Sequence, residues 1–166
     1  MGRWRPPAEK SSPYITKEGF DRLNAELKHL WKVRRPEVTQ ALKEAAAEGD
    51  RSENAEYIYR KKELREIDRR VRYLAKRMDQ FKVVEHLPEK RDTVFFGAWV
   101  TLLDEDDKEI TYRIVGADEI DPKQGYISID SPMAKRLLKK VIGDEIEFTK
   151  PNGEEVWFEI SAIRYE

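Results

Sequence analysis

The sequence predicts an α + (α+β) chain: an antiparallel two-helix coiled-coil hairpin followed by a small antiparallel-sheet domain with one short helix. Three observations predict it. Leu64, Ile67, Val71, Leu74, Met78 and Phe81 recur at spacings of three and four, the period at which one stripe of a helix meets a partner helix. Phe20, Leu23, Leu27, Leu30, Val38, Ala41 (or Leu42) and Ala45 answer it upstream, and only a few residues around Gly49 separate the two runs, so the helices are antiparallel neighbours. Beyond His86-Leu87-Pro88 the texture changes to short β-branched and aromatic runs separated by turn residues.

Composition fits this division. Charged residues make up 39% of the 166, and mean hydropathy is −0.80, polar for a chain that must bury a large core. A hairpin resolves the difficulty because it buries one stripe and solvates the rest. The net charge of −1 conceals a polarity: residues 1–82 carry 21 basic and 14 acidic groups, residues 83–166 carry 11 and 19. A basic half invites polyanions, and an acidic half suits a protein partner. With no cysteine there is neither a disulfide framework nor a thiolate site. No run has the length of a membrane span and the first residues lack a signal-peptide core, so a soluble, cytoplasmic protein is expected.

Residues 1–13, with Trp4 among them, have no period and are expected to form a mobile tail. Residues 14–82 are assigned to the hairpin and 83–166 to the sheet domain. Thr16 offers an N-cap hydroxyl for the first helix. Pro36 falls inside that helix, removes a donor and disfavours helix at Arg35, which predicts one bent helix loosened near Val33-Arg34-Arg35-Pro36. Trp31, near the bend, is expected to pack on the second helix. At the reversal, Gly49 suits the end of the first helix. Asp50 is read as the cap of the second, with Glu53 bonding back to it. From Arg51 the second helix runs some 30 residues, roughly 45 Å.

In the second half, residues 98–103 and 110–115 read as paired strands, 125–129 as a third, and 145–150 with 155–165 as a terminal hairpin about Pro151-Asn152-Gly153. Asp130-Ser131 ahead of Pro132 starts a short helix over 133–141.

The residues with chemical potential sit at the reversal. Asp50 and Glu53, three apart, share the first turn of a helix. One reading is capping, worth about 1 kcal/mol. The other notes that they stand at the hairpin apex, where a positive helix terminus favours the ionised carboxylates that bind metal. Two carboxylates hold Mg²⁺ weakly, and Mg²⁺ sites take one or two with water and phosphate oxygens completing the shell. Such a tip is half a site, completed by another macromolecule. Arg51, Arg60, Lys61, Lys62, Arg65, Arg69, Arg70, Arg72, Lys76 and Arg77 give the second helix a basic face. His29 and His86 stand alone and read as plain surface or packing residues.

Gly49-Asp50-Arg51-Ser52-Glu53-Asn54-Ala55-Glu56-Tyr57, then Lys61-Lys62-Glu63-Leu64-Arg65-Glu66-Ile67-Asp68-Arg69-Arg70, and Ile129-Asp130-Ser131-Pro132-Met133-Ala134 further on resemble the bacterial Gre transcript-cleavage factors, in particular the GreB branch. The resemblance runs from about Tyr14 to the C-terminus. It implies a hairpin that enters the secondary channel of RNA polymerase and a polymerase active centre that cuts backtracked nascent RNA. It also implies an FKBP-like second domain. On this resemblance Asp50 and Glu53 are the carboxylates sharing a Mg²⁺ with the polymerase, and Asn54 and Tyr57 support the tip. Arg51, Arg60 and Lys61 contact RNA or polymerase, and Asp130, Ser131 and Pro132 match the docking motif. The same Asp-Ser-Pro run is also a plain helix start that needs no partner. The expected protein is a monomer without catalysis of its own. Its alternatives are a channel-binding regulator that does not cut, a peptidyl-prolyl isomerase with Trp99, Tyr112, Tyr126, Trp157 and Phe158 around a pocket, and a purely structural coiled coil. The tail before Tyr14 departs from the family pattern.

Overall fold

The computed structural model describes residues 10–49 and 54–166. The chain forms two compact units, Phe20–Phe81 and the segment Lys82–Glu166 joined by the residues that end at Gly19.

In the first unit α1 (Lys17–His29) passes into a π-helical turn, Leu30–Arg34, and then α2 (Arg35–Ala47). The widened turn answers Pro36. The Arg35 N–H bonds to the Leu30 carbonyl, five residues back, just before the residue that has no N–H to offer. The expected loosening is therefore present as an extra residue per turn. Trp31, on this turn, borders a groove with Arg65, Asp68 and Val71 of the second helical run and is 55% exposed, with the Arg35 guanidinium 5.4 Å from its ring centroid.

Helix α3 (Ala55–Gln80) runs back along α2. Its stripe is the predicted one, with Ile67 and Leu74 buried and Leu64, Val71 and Met78 half-buried, against buried Leu23, Val38 and Ala45. Phe20 and Phe81 meet edge to face at a centroid distance of 6.4 Å, and Arg77 is buried over the Phe81 ring. So thin a seam leaves the flanks to ion pairs. Arg70 grips Glu26 through two bonds of 3.0 Å, Arg35 holds Asp68 at 2.8 Å, and Arg34 binds Glu63.

The second unit is a five-stranded sheet of order β5-β4-β3-β7-β6, where β3 is Trp99–Leu103, β4 Glu109–Val115, β5 Tyr126–Ser128, β6 Glu145–Thr149 and β7 Glu155–Arg164. The sheet is antiparallel as expected except at one edge, where β5 runs parallel to β4 after a short 3-10 turn. Alternation sends Val100, Leu102, Ile114, Ile146 and Ile160 to one face. There α4 (Pro132–Leu137), shorter than the sequence indicated, covers them with Met133, Ala134 and Leu137. One helix on one face of the sheet is the FKBP-like layout. The Tyr165 hydroxyl accepts from the Phe95 N–H at 2.8 Å and donates to the Thr93 carbonyl, tying the C-terminus to the segment that leads into β3.

One boundary differs from the sequence reading. Tyr14–Thr16 forms β1, which pairs in parallel with β2 (Lys82–Val84) and so belongs to the sheet unit rather than the hairpin. The described end of the expected tail is likewise held. The Pro13 carbonyl accepts from Lys82 N–H at 2.9 Å, and the Ser12 N–H donates to Asp130 Oδ2 at 2.8 Å. The rest of that tail, residues 1–9 with Trp4, lies outside the described residues.

The hairpin reversal as candidate functional site

Asp50, Arg51, Ser52 and Glu53 lie outside the described residues, so the site is built from what borders them. Helix α2 closes on Glu48, whose N–H reaches back to the Ala45 carbonyl at 3.3 Å. Helix α3 opens at Ala55 with Asn54 as its N-cap, four residues later than the cap read at Asp50. Asn54 adopts extended backbone, φ −84° and ψ 97°, and its Oδ1 accepts from the Tyr57 N–H at 3.1 Å. Its other amide atom does something a carboxylate cannot: Nδ2 donates to the Ala45 carbonyl at 2.6 Å. One side chain thus satisfies an orphan donor of α3 and gives the Ala45 carbonyl of α2 a second, shorter bond beside that from the Glu48 N–H, joining the two helix ends across the reversal.

Tyr57, half-buried, stands one turn into α3, with the Lys61 ammonium 5.9 Å from its ring centroid. Of the cations expected to contact RNA or polymerase, Arg60 is engaged within the protein. It donates to Glu56 at 2.8 Å and Glu63 at 3.0 Å, and the bonds to these two carboxylates push its pKa above the ordinary arginine value. Glu63 also receives Arg34 from the facing helix, so a chain of alternating charge, Glu56-Arg60-Glu63-Arg34, crosses the hairpin. Lys61 is exposed and forms no ion pair among the described residues. Arg51 falls outside them.

In the sheet unit, Asp130, Ser131 and Pro132 stand together at the start of α4. Ser131 is the N-cap, its Oγ accepting from the Ala134 N–H at 3.2 Å, and Pro132 occupies the first turn, exposed. The helix-start reading of this run is thus realised in the geometry. Asp130 is exposed, and its carboxylate receives the Ser12 N–H. The aromatic residues considered for an isomerase pocket are divided by the sheet. Trp99 and Tyr126 meet on one face at 5.6 Å with Arg113 over both, whereas Tyr112 and Phe158 pack against the core on the other. They do not line a common pocket.

Among the described residues no group of three or more His, Cys, Asp or Glu side chains could hold a metal ion. The donor pair at positions 50 and 53 is by its chemistry an incomplete shell for Mg²⁺, fitting one that takes its other ligands from elsewhere. No helix among the described residues is long and apolar enough to cross a membrane. Missed by the sequence reading was the Asn54 link. Its signal, an Asn ahead of an uninterrupted helical run, was obscured by the Asp-x-x-Glu pattern four residues earlier.

A two-helix hairpin with a side-chain clasp at its reversal and a separate sheet-and-helix unit define a two-part protein. Residues 13–83 match the family model described as transcription elongation factor, N-terminal, and residues 88–165 match that of transcription elongation factor, GreA/GreB, C-terminal. Transcription elongation factor GreB of Xanthomonas axonopodis pv. citri (strain 306) is 59% identical over 163 residues, 98% of this chain and 97% of that protein. Transcription elongation factor GreB of Pseudomonas aeruginosa is 57% identical over 165 residues, 99% and 98% of the two chains. The crystal structure of the GreA factor homolog 1 (Gfh1) protein of Thermus thermophilus aligns at 25% identity over 91% of this chain and 97% of that one, with a TM-score of 0.41. The chain belongs to the GreA/GreB family of transcription elongation factors, and these two curated relatives are GreB proteins.

Proposed function

We propose that this elongation factor works at RNA polymerase as a transcript-cleavage factor of the GreB type. The hairpin enters the secondary channel, and the polymerase's own active centre cuts the 3′ segment of backtracked nascent RNA. The observation that carries the reading is the Asn54 clasp. It ties the end of α2 to the start of α3, and the two acids, Asp50 and Glu53, lie in the sequence between the tied ends. Family membership over nearly the whole chain supports it independently.

In this reading Asp50 and Glu53 supply negative charge to a Mg²⁺ shared with the polymerase. A bound second Mg²⁺ supplies charge stabilisation and a more acidic water for phosphodiester hydrolysis. The chain catalyses nothing alone, since two carboxylates are less than a site. Asn54 and Tyr57 hold the tip. Lys61 and Arg51 face RNA or polymerase, and Arg60 does so only by yielding its bonds to Glu56 and Glu63. Asp130, Ser131 and Pro132 dock the sheet unit, and the factor works as a cytoplasmic monomer. A factor that binds without cutting would have no use for the acid pair, and the divided aromatics disfavour an isomerase.

Mixing the protein with a stalled, backtracked elongation complex tests the reading. Short RNA 3′ fragments are expected from the natural chain, and none from Asp50→Ala or Glu53→Ala at concentrations where both still bind. Cleavage undiminished in both variants would remove the acids from the mechanism. Binding without fragments from the natural chain would leave the non-cutting regulator.

A further inference from the structure

Arg65, Arg69 and Arg72 stand four and three residues apart on α3, so they share one face of the helix over a rise of about 10 Å. All three are exposed, and none forms an ion pair or a hydrogen bond among the described residues. Like charges at these spacings oppose one another, so the stability of the helix gives no reason for the cluster. Neighbouring arginines are differently placed: Arg70 is gripped by Glu26, and Arg35 is held by Asp68 at 2.8 Å.

The three guanidinium groups border one groove of about 410 Å³ with the exposed Trp31 of the π-helical turn. Arg35 is the fourth cation there, but Asp68 meets its charge and its guanidinium already lies 5.4 Å from the indole centroid. A ligand is thus offered the indole's exposed area and three guanidinium groups that no acid answers. An aromatic ring stacks on any base, because every base has a π-face. Arginine binds phosphate through paired, charge-assisted N–H bonds.

Two features favour a single nucleotide over a strand. Grooves that hold a strand set out successive aromatics for successive bases, and Trp31 is the one aromatic lining this groove. The volume is also on the scale of a small-molecule site, about 300–1,000 Å³. Three positive charges gathered on one turn-and-a-half of helix match the concentrated charge of a triphosphate better than the single charge of each phosphodiester. We propose that this groove binds a nucleoside triphosphate, its base against Trp31 and its phosphates among Arg65, Arg69 and Arg72. The site lies wholly within the hairpin unit and is independent of the cleavage reading.

The test uses the full chain with Trp31→Ala, Trp31→Phe and Arg69→Gln, each checked for natural circular dichroism. Binding of ATP is followed by calorimetry and by backbone amide shifts. Adenosine and inorganic tripolyphosphate probe its two halves, and oligoadenylate RNA stands for a strand. Saturable binding of ATP is expected, with shifts gathered at Trp31 and from Arg65 to Arg72, and with adenosine and tripolyphosphate each weaker than ATP. Trp31→Ala should weaken ATP about 5- to 100-fold, the range for one base–aromatic stack, and leave tripolyphosphate unchanged. Trp31→Phe, which keeps a ring, should retain most of the affinity. Arg69→Gln should weaken ATP and tripolyphosphate alike, on the order of 10-fold, and leave adenosine unchanged. If Trp31→Ala fails to fold, Arg69→Gln and the comparison of ATP with tripolyphosphate carry the test. No saturable ATP binding at millimolar concentration overturns the proposal, as does binding that Arg69→Gln and Trp31→Ala both leave intact. Tripolyphosphate that binds as tightly as ATP would make the groove a mere anion surface and overturn it too. If oligoadenylate binds and ATP neither binds nor displaces it, the groove takes a strand and the nucleotide assignment falls.

Discussion

Replacing Asn54 by Ala removes two bonds of different kind. The cap on the Tyr57 N–H at 3.1 Å belongs to the class whose loss costs about 1 kcal/mol. Loss of the Nδ2 bond at 2.6 Å leaves the Ala45 carbonyl only the longer bond from the Glu48 N–H and costs about another 1 kcal/mol, the net worth of one hydrogen bond. The sum, about 2 kcal/mol, corresponds to roughly a 30-fold rise in local opening, since about 1.4 kcal/mol is a factor of ten. Amide hydrogen exchange at Tyr57 and Ile58 reads this directly, because both N–H groups bond to Asn54, one to its side chain and one to its carbonyl. Asn54→Asp separates the two contributions: it keeps a capping oxygen and has no donor for Ala45, so about half of the effect is expected. If Tyr57 and Ile58 exchange as slowly in Asn54→Ala as in the natural chain, the clasp is not what holds the helix ends. If Asn54→Asp equals the natural chain, the bond to Ala45 contributes nothing.

Other consequences concern the rest of the fold. Leu74 is fully buried in the thin seam, so Leu74→Ala should cost about 2–5 kcal/mol in denaturant unfolding followed by helix content. Trp31, half-exposed on the π-helical turn, should lose about 1 kcal/mol on replacement by Ala in the same measurement, the order of its contact with the Arg35 guanidinium. Burial pushes the Tyr165 hydroxyl above its ordinary value of 10, with Asp92 adding to the rise against the Phe95 N–H. The folded protein then holds that proton more tightly than the unfolded chain. Its contribution is complete below pH 10 and is lost as pH climbs through the raised value, so alkaline unfolding should begin above pH 10. Tyr165→Phe should lose about 1–3 kcal/mol at neutral pH, because the Phe95 N–H and Thr93 carbonyl lose their partner, and should shed that part of the alkaline dependence.

Much of the architecture was legible because it is periodic. The three-four spacing along α3 and the alternation in β3, β4 and β7 each repeat often enough to set a buried face, and Pro36 marked the one place where the first helical run had to adjust. What escaped was local or non-local in a way that no period announces. Strand β1 is three residues long and gains meaning only from its parallel pairing with Lys82–Val84, more than sixty residues away. Glu119 reads in the sequence as one more acid in a turn, yet it is 3% exposed and accepts from the N–H groups of Gly116 and of Thr16, some hundred residues away. Trp31 borders α3 as its place near the bend suggested, but its 55% exposure could not be read from the spacing. At the reversal, Asp50-x-x-Glu53 and Asn54 compete for one capping role. Asn54 holds it because only an amide has both an acceptor for Tyr57 and a donor for Ala45.

The most direct measurement of the central claim is the Mg²⁺ dependence of fragment release from a backtracked complex, with Asp50→Asn and Glu53→Gln compared with the natural chain at saturating factor. These neutral replacements keep shape and remove charge, so the Mg²⁺ concentration for half-maximal cleavage should rise in each and highest in the double variant. If all three variants titrate with Mg²⁺ as the natural chain does, at the same rate, the acids take no part in holding the metal.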